Sequence, residues 1–412
     1  MPNVFVVRQP VFDSSLNVAG YDLLYTSYEA GNPDFADEEK LTTHQILDTF
    51  VDIGLDRLVG ENLAFINLTH SFILKRHIIP FPPQRVVLKV LSSITDQEVV
   101  FGIRTLSRNG YRISLECVSE LREIIPLLPN VHFLRINIEE YDPNRLKQLV
   151  LLVRKYGIRL WANSIRTRDT FNHCKAYGFE LFQGDFINQP QIVRGKAVPE
   201  MSHSLLMLLN KLQSLNTSFD ELEEIVARDV FLSFKFMRII NSPLYAAAGR
   251  IHSIHQGLVY LGFKGIQNWA SLMFIVRTQN KPPELINRTL FRAKMCELLA
   301  GGVEGVEPES AFTMGLFSLI DSLLDAPMNG ILESLPFDEE LATALLKKEG
   351  PLGRIIKCVI ACERAEWKEV IPLGFAPETI KSAYLGAIDW MKMVSILLRE
   401  EQPESPPPAG DG

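Results

Sequence analysis

Over roughly the first 190 residues, short β-branched apolar runs alternate with amphipathic stretches, and after that point the alternation stops. The runs NVFVVRQ (3–9), NLAFINL (62–68), RVVLKVL (85–91), YRISLEC (111–117), HFLRINI (132–138) and IRLWANS (158–164) read as strands. Helical periodicity fills the gaps at 38–53, 96–110, 144–157 and 167–178. Gly110, Gly157 and Gly178 stand where a helix C-cap favours positive φ. Strand–helix alternation at this spacing predicts a parallel sheet, and six or more units predict closure into a (β/α) barrel. In such barrels the chemistry gathers at the C-terminal strand ends.

The segment 188–202 is aperiodic, with proline and glycine, and reads as a linker. Beyond it only helical patterns follow, at 230–241, 251–261, 264–276, 283–300, 310–324, 338–348, 352–363 and 376–399. Ser218 with Glu221 forms a capping-box pattern, and Asp229 stands before an apolar helix as a second N-cap. The expected architecture is an α/β barrel followed by an all-α domain. The boundaries are 1–190, a linker at 191–202, 203–400, and a Pro-rich tail at 401–412 that is expected to be disordered.

The formal net charge of -7 argues against a general nucleic-acid binder. Five cysteines without framework spacing fit a reducing compartment, and no apolar run reaches the ~18 residues of a membrane span. The first residues, MPNVFVVRQPVFDSS, lack the pattern of a signal peptide. A cytoplasmic protein is expected.

One residue breaks the barrel pattern. Lys89 sits inside VVLKVLSS (86–93), a run that should point into a core, and burying an unpaired ammonium is costly.

Several motifs carry a resemblance. GYDLLY (20–25), FINL (65–68), VVLKVLSS (86–93), GYRISLECV (110–118), FLRINI (133–138), LWANSIRT (160–167) and LFQGDFINQP (181–190) resemble EAL domains, barrels that hydrolyse cyclic di-GMP. ELEEIVARDVFLSFKFMRIINSPLY (221–245), IHSIHQGLVYLGFKGIQNWASL (251–272) and AFTMGLFSLIDSLL (311–324) resemble HDOD domains. Together they resemble a subgroup in which a degenerate EAL domain is fused to an HDOD domain.

The resemblance implies a site built on divalent cations with oxygen ligands, and this chain departs from it. The EAL glutamate corresponds to Asp22, and the phosphate-clamping arginine to Thr26. An asparagine ligand is kept as Asn67. Two glutamates become Lys89 and Ser92, and paired aspartates become Glu116 and Cys117. The catalytic lysine becomes Arg135 and the following aspartate Asn137; two later glutamates become Asn163 and Arg166, and Gln183 is kept. Lys89 is expected to replace the metal and to pair with Glu116 or Asp22. Asn67 and Gln183 are also readable as packing remnants, and Asp22 with Glu116 as an ion-paired structural group.

The resemblance therefore implies no catalytic residue, no metal and no cofactor: a catalytically silent adaptor rather than an enzyme. It would act in bacterial regulation near cyclic di-GMP signalling, motility or biofilm, through signalling proteins bound by the helical half. A homodimer is plausible. The loss of the arginine at Thr26 argues against cyclic di-GMP binding. The alternatives are a non-hydrolysing cyclic di-GMP receptor, with Arg135 and Arg166 turned inward, and a residual metal-dependent phosphodiesterase.

The helical half has no adjacent His-Asp pair. His252 and His255 lie at i, i+3, a metal-like spacing without an obvious third ligand. Cys358 and Cys362 at i, i+4 read as apolar packing. Asn241 and Ser242 read as helix stop signals, and Asp321 reads either as a partner-binding residue or as a buried hydrogen-bonding group.

Overall fold

The computed structural model describes residues 3–28, 35–36, 43–69, 72–73, 79–91, 97–117, 125–190, 203–212, 217–243, 245, 250–276, 281–333 and 337–399. Most of the linker and all of the tail read from the sequence lie outside them. The chain divides into two compact units. One comprises Met1–Gln189 with Pro282–Glu284 and Lys357–Ser382; the other comprises Pro190–Lys281, Leu285–Ile356 and Ala383–Gly412.

The first unit is a closed barrel. Its strands are β1 (Asn3–Phe12), β2 (Val18–Tyr28), β3 (Phe35–Ala36), β4 (Leu63–Asn67), β5 (Val86–Leu91), β6 (Arg112–Cys117), β7 (Phe133–Asn137), β8 (Arg159–Asn163) and β9 (Leu181–Phe182). The order is β1-β9-β8-β7-β6-β5-β4-β2-β3, and a β1–β2 pairing closes the ring. The two-residue β3 is appended to β2.

The sheet is not all parallel, which corrects the sequence expectation. Strand β1 runs antiparallel to both neighbours, β2 and β9. The reason is local. Asp13 Oδ1 accepts from Ser15 N at 2.8 Å and Asn17 N at 2.9 Å, and Leu16 takes φ 67°. This Asx-type turn folds β1 back on β2 as a hairpin. The remaining barrel pairings, β2–β4 through β8–β9, are parallel. Helices Gln97–Arg108, Pro143–Arg154 and Arg168–Tyr177 connect them. Gly110, Gly157 and Gly178 after these helices have φ of 88°, 67° and 92°.

The barrel interior is layered, because alternate residues of a strand share one face. Val11, Phe65, Val87, Phe133, Trp161 and Leu181 form a buried apolar plug. The Phe65 and Trp161 rings meet at 4.6 Å between centroids. Gly20 makes room for this plug: a Cβ there would lie 2.6 Å from Phe65 Cε2 and 2.7 Å from the Leu63 carbonyl oxygen.

Two later stretches of the chain belong to the same unit. The Phe5 and Trp367 rings pack edge to face at 5.2 Å, Gln9 Nε2 donates to the Glu363 carbonyl at 3.1 Å, and Arg364 pairs with Asp185 at 2.8 Å.

The second unit is helical. Its first helices are His203–Leu212, Phe219–Arg228, Val230–Ile240 and Ile254–Val276. The last is interrupted at Gly262, whose φ of 66° divides it as the separate periods 251–261 and 264–276 predict. The single helix expected at 310–324 is instead two, Pro308–Phe317 and Ile320–Leu324, because Leu319 leaves the helical region at ψ 18°. Both predicted caps form: Ser218 Oγ accepts from Glu221 N at 3.3 Å, and Asp229 Oδ1 accepts from Leu232 N at 3.1 Å.

Asn241 is a structural staple. Its side chain donates to the Met237 and Ile251 carbonyls and accepts from Ile251 N, each at 2.9 Å. Asn241→Ala should therefore destabilise the helical unit by about 1–3 kcal/mol, because it strands several backbone groups at once. Urea denaturation of the full chain reads this, and a loss under a few tenths of that scale would deny the staple its role. Among the described residues, no helix is long and apolar enough to cross a membrane.

Candidate functional site: a polar layer in the barrel mouth

Moving two residues along each strand from the apolar plug gives a second layer, and it is polar. Val11 leads back to Gln9, Phe65 to Asn67, Val87 to Lys89, Phe133 to Arg135, Trp161 to Asn163 and Leu181 to Gln183. On β2, Asp22 lies opposite Gln9, and on β6, Glu116 lies opposite Arg135. The period-2 alternation of the strands thus carries every one of these side chains to the C-terminal ends of the parallel strands.

Asp22 is the centre. Its side chain is fully buried, and Lys89, 5% exposed, donates from Nζ to Oδ1. Gln183 Nε2 donates to Asp22 Oδ2 at 3.2 Å and to Gln9 Oε1 at 2.9 Å. Arg135 approaches Asp22 Oδ2 at 3.6 Å and holds Glu116 Oε1 at 2.6 Å. Its guanidinium also stands over the Trp161 ring at 5.2 Å. Of the two acids considered for Lys89, Asp22 is the one it bonds, while Glu116 bonds Arg135.

Burial disfavours both charges of the central pair. Burial raises the Asp22 carboxyl, yet Lys89 and Arg135, with hydrogen bonds from Lys89 and Gln183, leave it below its ordinary value. Burial lowers the Lys89 amine; Asp22 offsets part of this, and the like charge of Arg135 adds to it. Each partner's charge thus favours the charged form of the other, against burial.

The other sequence-predicted residues fall around this core. Thr26 lies on β2, buried, four residues beyond Asp22. Asn67 and Asn163 end β4 and β8, half-buried. Asn137 turns to cap its own loop: it accepts from Glu139 N at 3.4 Å and donates to Glu140 Oε1 at 2.6 Å. Arg166 is on the exposed rim, paired with Glu139 at 2.6 Å, so it does not point into the mouth. Ser92 lies outside the described residues. Cys117 ends β6, and its side chain lies outside them too.

Gln9, Ser114 and Trp161 were missed as site residues. The signal for Gln9 was a polar residue at an inward position of an apolar strand, the same anomaly that marks Lys89. Ser114 Oγ, Arg135 Nε and Gln183 Oε1 are buried without a hydrogen-bond partner among the described residues.

The donor set does not fit a carboxylate-held divalent cation. Such ions take six or more oxygen ligands, and the two carboxylates here are occupied by an ammonium and a guanidinium. Among the described residues, the metal-sized group of acids and imidazole is elsewhere, in the helical unit. There His255 Nδ1 lies 3.1 Å from Glu223 Oε2 and 3.4 Å from Asp220 Oδ1, which supplies the neighbours not evident from the His252/His255 spacing. Cys358 and Cys362 are wholly buried. Asp321 accepts from Ser322 N at 2.8 Å, and burial raises its carboxyl.

Comparison with known proteins adds four findings. Residues 198–326 match the model of the HDOD domain. The chain is 28% identical over 408 residues to the cyclic di-GMP phosphodiesterase CdgJ of Vibrio cholerae, covering 97% of this chain and 94% of that protein. It is 28% identical over 402 residues to the uncharacterized protein YuxH of Bacillus subtilis, covering 94% and 98%. Among solved structures, the Bacillus subtilis YkuI protein with an EAL domain, in complex with c-di-GMP and calcium, matches with TM-score 0.35 and 17% identity over 55% of this chain and 71% of that one.

The full-length similarity to a protein named a phosphodiesterase overturns the expectation that this chain is not an enzyme. The physical ground is that positions 22 and 116 still carry acids and position 135 still carries a cation, so replacement of ligands does not by itself remove reactivity. Residues 198–326 thus match the HDOD domain, in the same chain as a closed barrel of alternating strands and helices.

Proposed function

We propose that this chain acts in cyclic di-GMP signalling, with the polar layer at the barrel mouth as the site that meets the nucleotide. The observation that carries this reading is the convergence of Arg135, Glu116, Lys89, Asp22 and Gln183 at the C-terminal strand ends, in a chain similar along nearly its whole length to a cyclic di-GMP phosphodiesterase. Of the four charged groups, Arg135 and Glu116 have side chains with solvent access, 13% and 29%. A nucleotide phosphate reaches Arg135 first, and a guanidinium is suited to phosphate oxygens. This replaces the expectation against nucleotide binding, which rested on Thr26 alone.

The helical unit would then hand the state on to a partner protein. Val259, Tyr260 and Phe263 on helix Ile254–Val276 are exposed by 50%, 48% and 41%, an apolar surface that supports an adaptor role for that half.

The test is calorimetric titration of the full chain with cyclic di-GMP, with magnesium, with manganese and with chelator, followed by chromatography of the nucleotide. Saturable binding is expected, weakened about tenfold or more in Arg135→Ala through loss of a charged hydrogen bond and partly restored in Arg135→Lys. Conversion to the linear dinucleotide would make the barrel a phosphodiesterase. Neither heat nor conversion under any condition would sink the reading.

A further inference from the structure

We infer that the mouth of this barrel carries its own permanent cation, the Lys89 ammonium, and that the site works without a divalent metal. The inference concerns the site named above, but its test reads metal and not nucleotide, so the two readings fail separately.

Three observations carry it. The acids are committed: Asp22 is bonded at Oδ1 by Lys89 and at Oδ2 by Gln183, with Arg135 3.6 Å away, and Glu116 is held by Arg135 at 2.6 Å. The charge is balanced: two carboxylates face two protein cations, so no net negative charge remains to draw in a dication. The lysine is fixed: it lies on β5 between β4 and β6, its carbonyl accepts from Leu68 N at 2.9 Å, and its side chain is 6% exposed. To admit an ion, the ammonium would have to leave a buried carboxylate without going far toward solvent. That movement leaves Asp22 with only Arg135 and Gln183.

The chemical consequence is defined. A fixed ammonium supplies one positive charge and donors, but no open coordination position and no metal-bound water. Whatever anionic group enters the mouth is met by the Arg135 guanidinium, whose side chain keeps 13% exposure.

The experiment is thermal unfolding of the full chain in chelator against millimolar manganese or magnesium. Wild type is expected to show no rise that depends on Asp22. Lys89→Glu, which adds a third carboxylate beside Asp22, Glu116 and Asn67, is expected to melt lower in chelator and to rise by roughly 3–8 °C with manganese. Lys89→Met, matched in length but without charge, should show no such rise. A wild-type rise that survives Asp22→Asn and disappears in His255→Ala belongs to the Asp220–Glu223–His255 cluster and leaves the inference standing.

A wild-type rise abolished by Asp22→Asn overturns it, as does a folded Lys89→Glu chain indifferent to metal. Should Lys89→Glu or Asp22→Asn fail to fold, Glu116→Gln replaces them in the wild-type comparison: a rise lost in Glu116→Gln overturns the inference, and no rise, or one it leaves intact, supports it.

Discussion

Asp22→Ala is expected to destabilise the barrel unit by about 3–5 kcal/mol, the usual penalty for breaking a buried ion pair by removing one partner. The loss comes less from the missing attraction than from what stays behind. Lys89, 5% exposed, would lose the carboxylate it bonds and keep only the weaker influence of Glu116, so its amine would have to lose its proton or stay charged at high cost, and Gln183 Nε2 would lose one of its two acceptors. The like charge of Arg135 nearby would then go uncompensated except through Glu116. The double replacement Asp22→Leu with Lys89→Met should cost much less, because a buried pair replaced by apolar groups of similar volume is often neutral. Urea denaturation of wild type, Asp22→Leu, Lys89→Met and the double variant completes the cycle. Single losses under about 1 kcal/mol would mean that the mouth is hydrated enough to hold a lone lysine.

Trp161→Ala is expected to cost about 3–5 kcal/mol as well, through a large cavity in the plug beneath the polar layer. Trp161 is fully buried among Val11, Phe65, Val87, Phe133 and Leu181. It also forms the floor under the Arg135 guanidinium, at 5.2 Å. The variant should therefore do two things at once: lower the urea midpoint and loosen Arg135. Trp161→Phe keeps an aromatic floor and most of the volume, and its loss should stay below about 2 kcal/mol. If Trp161→Ala changed stability but left Arg135-dependent nucleotide binding untouched, the plug would be a structural support and nothing more.

Much of this was legible from local pattern. The strand runs, their helices, the Ser218 and Asp229 caps and the division at Gly262 all depend on residues within a few positions of each other, so short-range periodicity and capping chemistry reveal them. The lysine in VVLKVLSS announced itself for the same reason, as a charge at an inward position of an apolar strand. The hairpin of β1 on β2 was equally local, and its signal, Asp13 with Ser15 and Asn17, went unread.

Other features had no local signal. The sequence alone determined that a barrel of alternating strands precedes a helical half, and that an ammonium must be accommodated inside that barrel. Only the tertiary structure decided which acid receives it. Asp22 and Glu116 lie on β2 and β6, and the parallel register sets Glu116 beside Arg135, while the β2–β4–β5 order puts Asp22 within reach of Lys89 and closure of the ring through β1 brings it to Gln183 after β9. Only the tertiary structure, too, joined Lys357–Ser382 to the barrel, through pairs such as Phe5 with Trp367 that lie hundreds of residues apart. Strand periodicity says which face a residue occupies. Which partner it meets there is fixed by sheet order and closure, and those are properties of the whole chain.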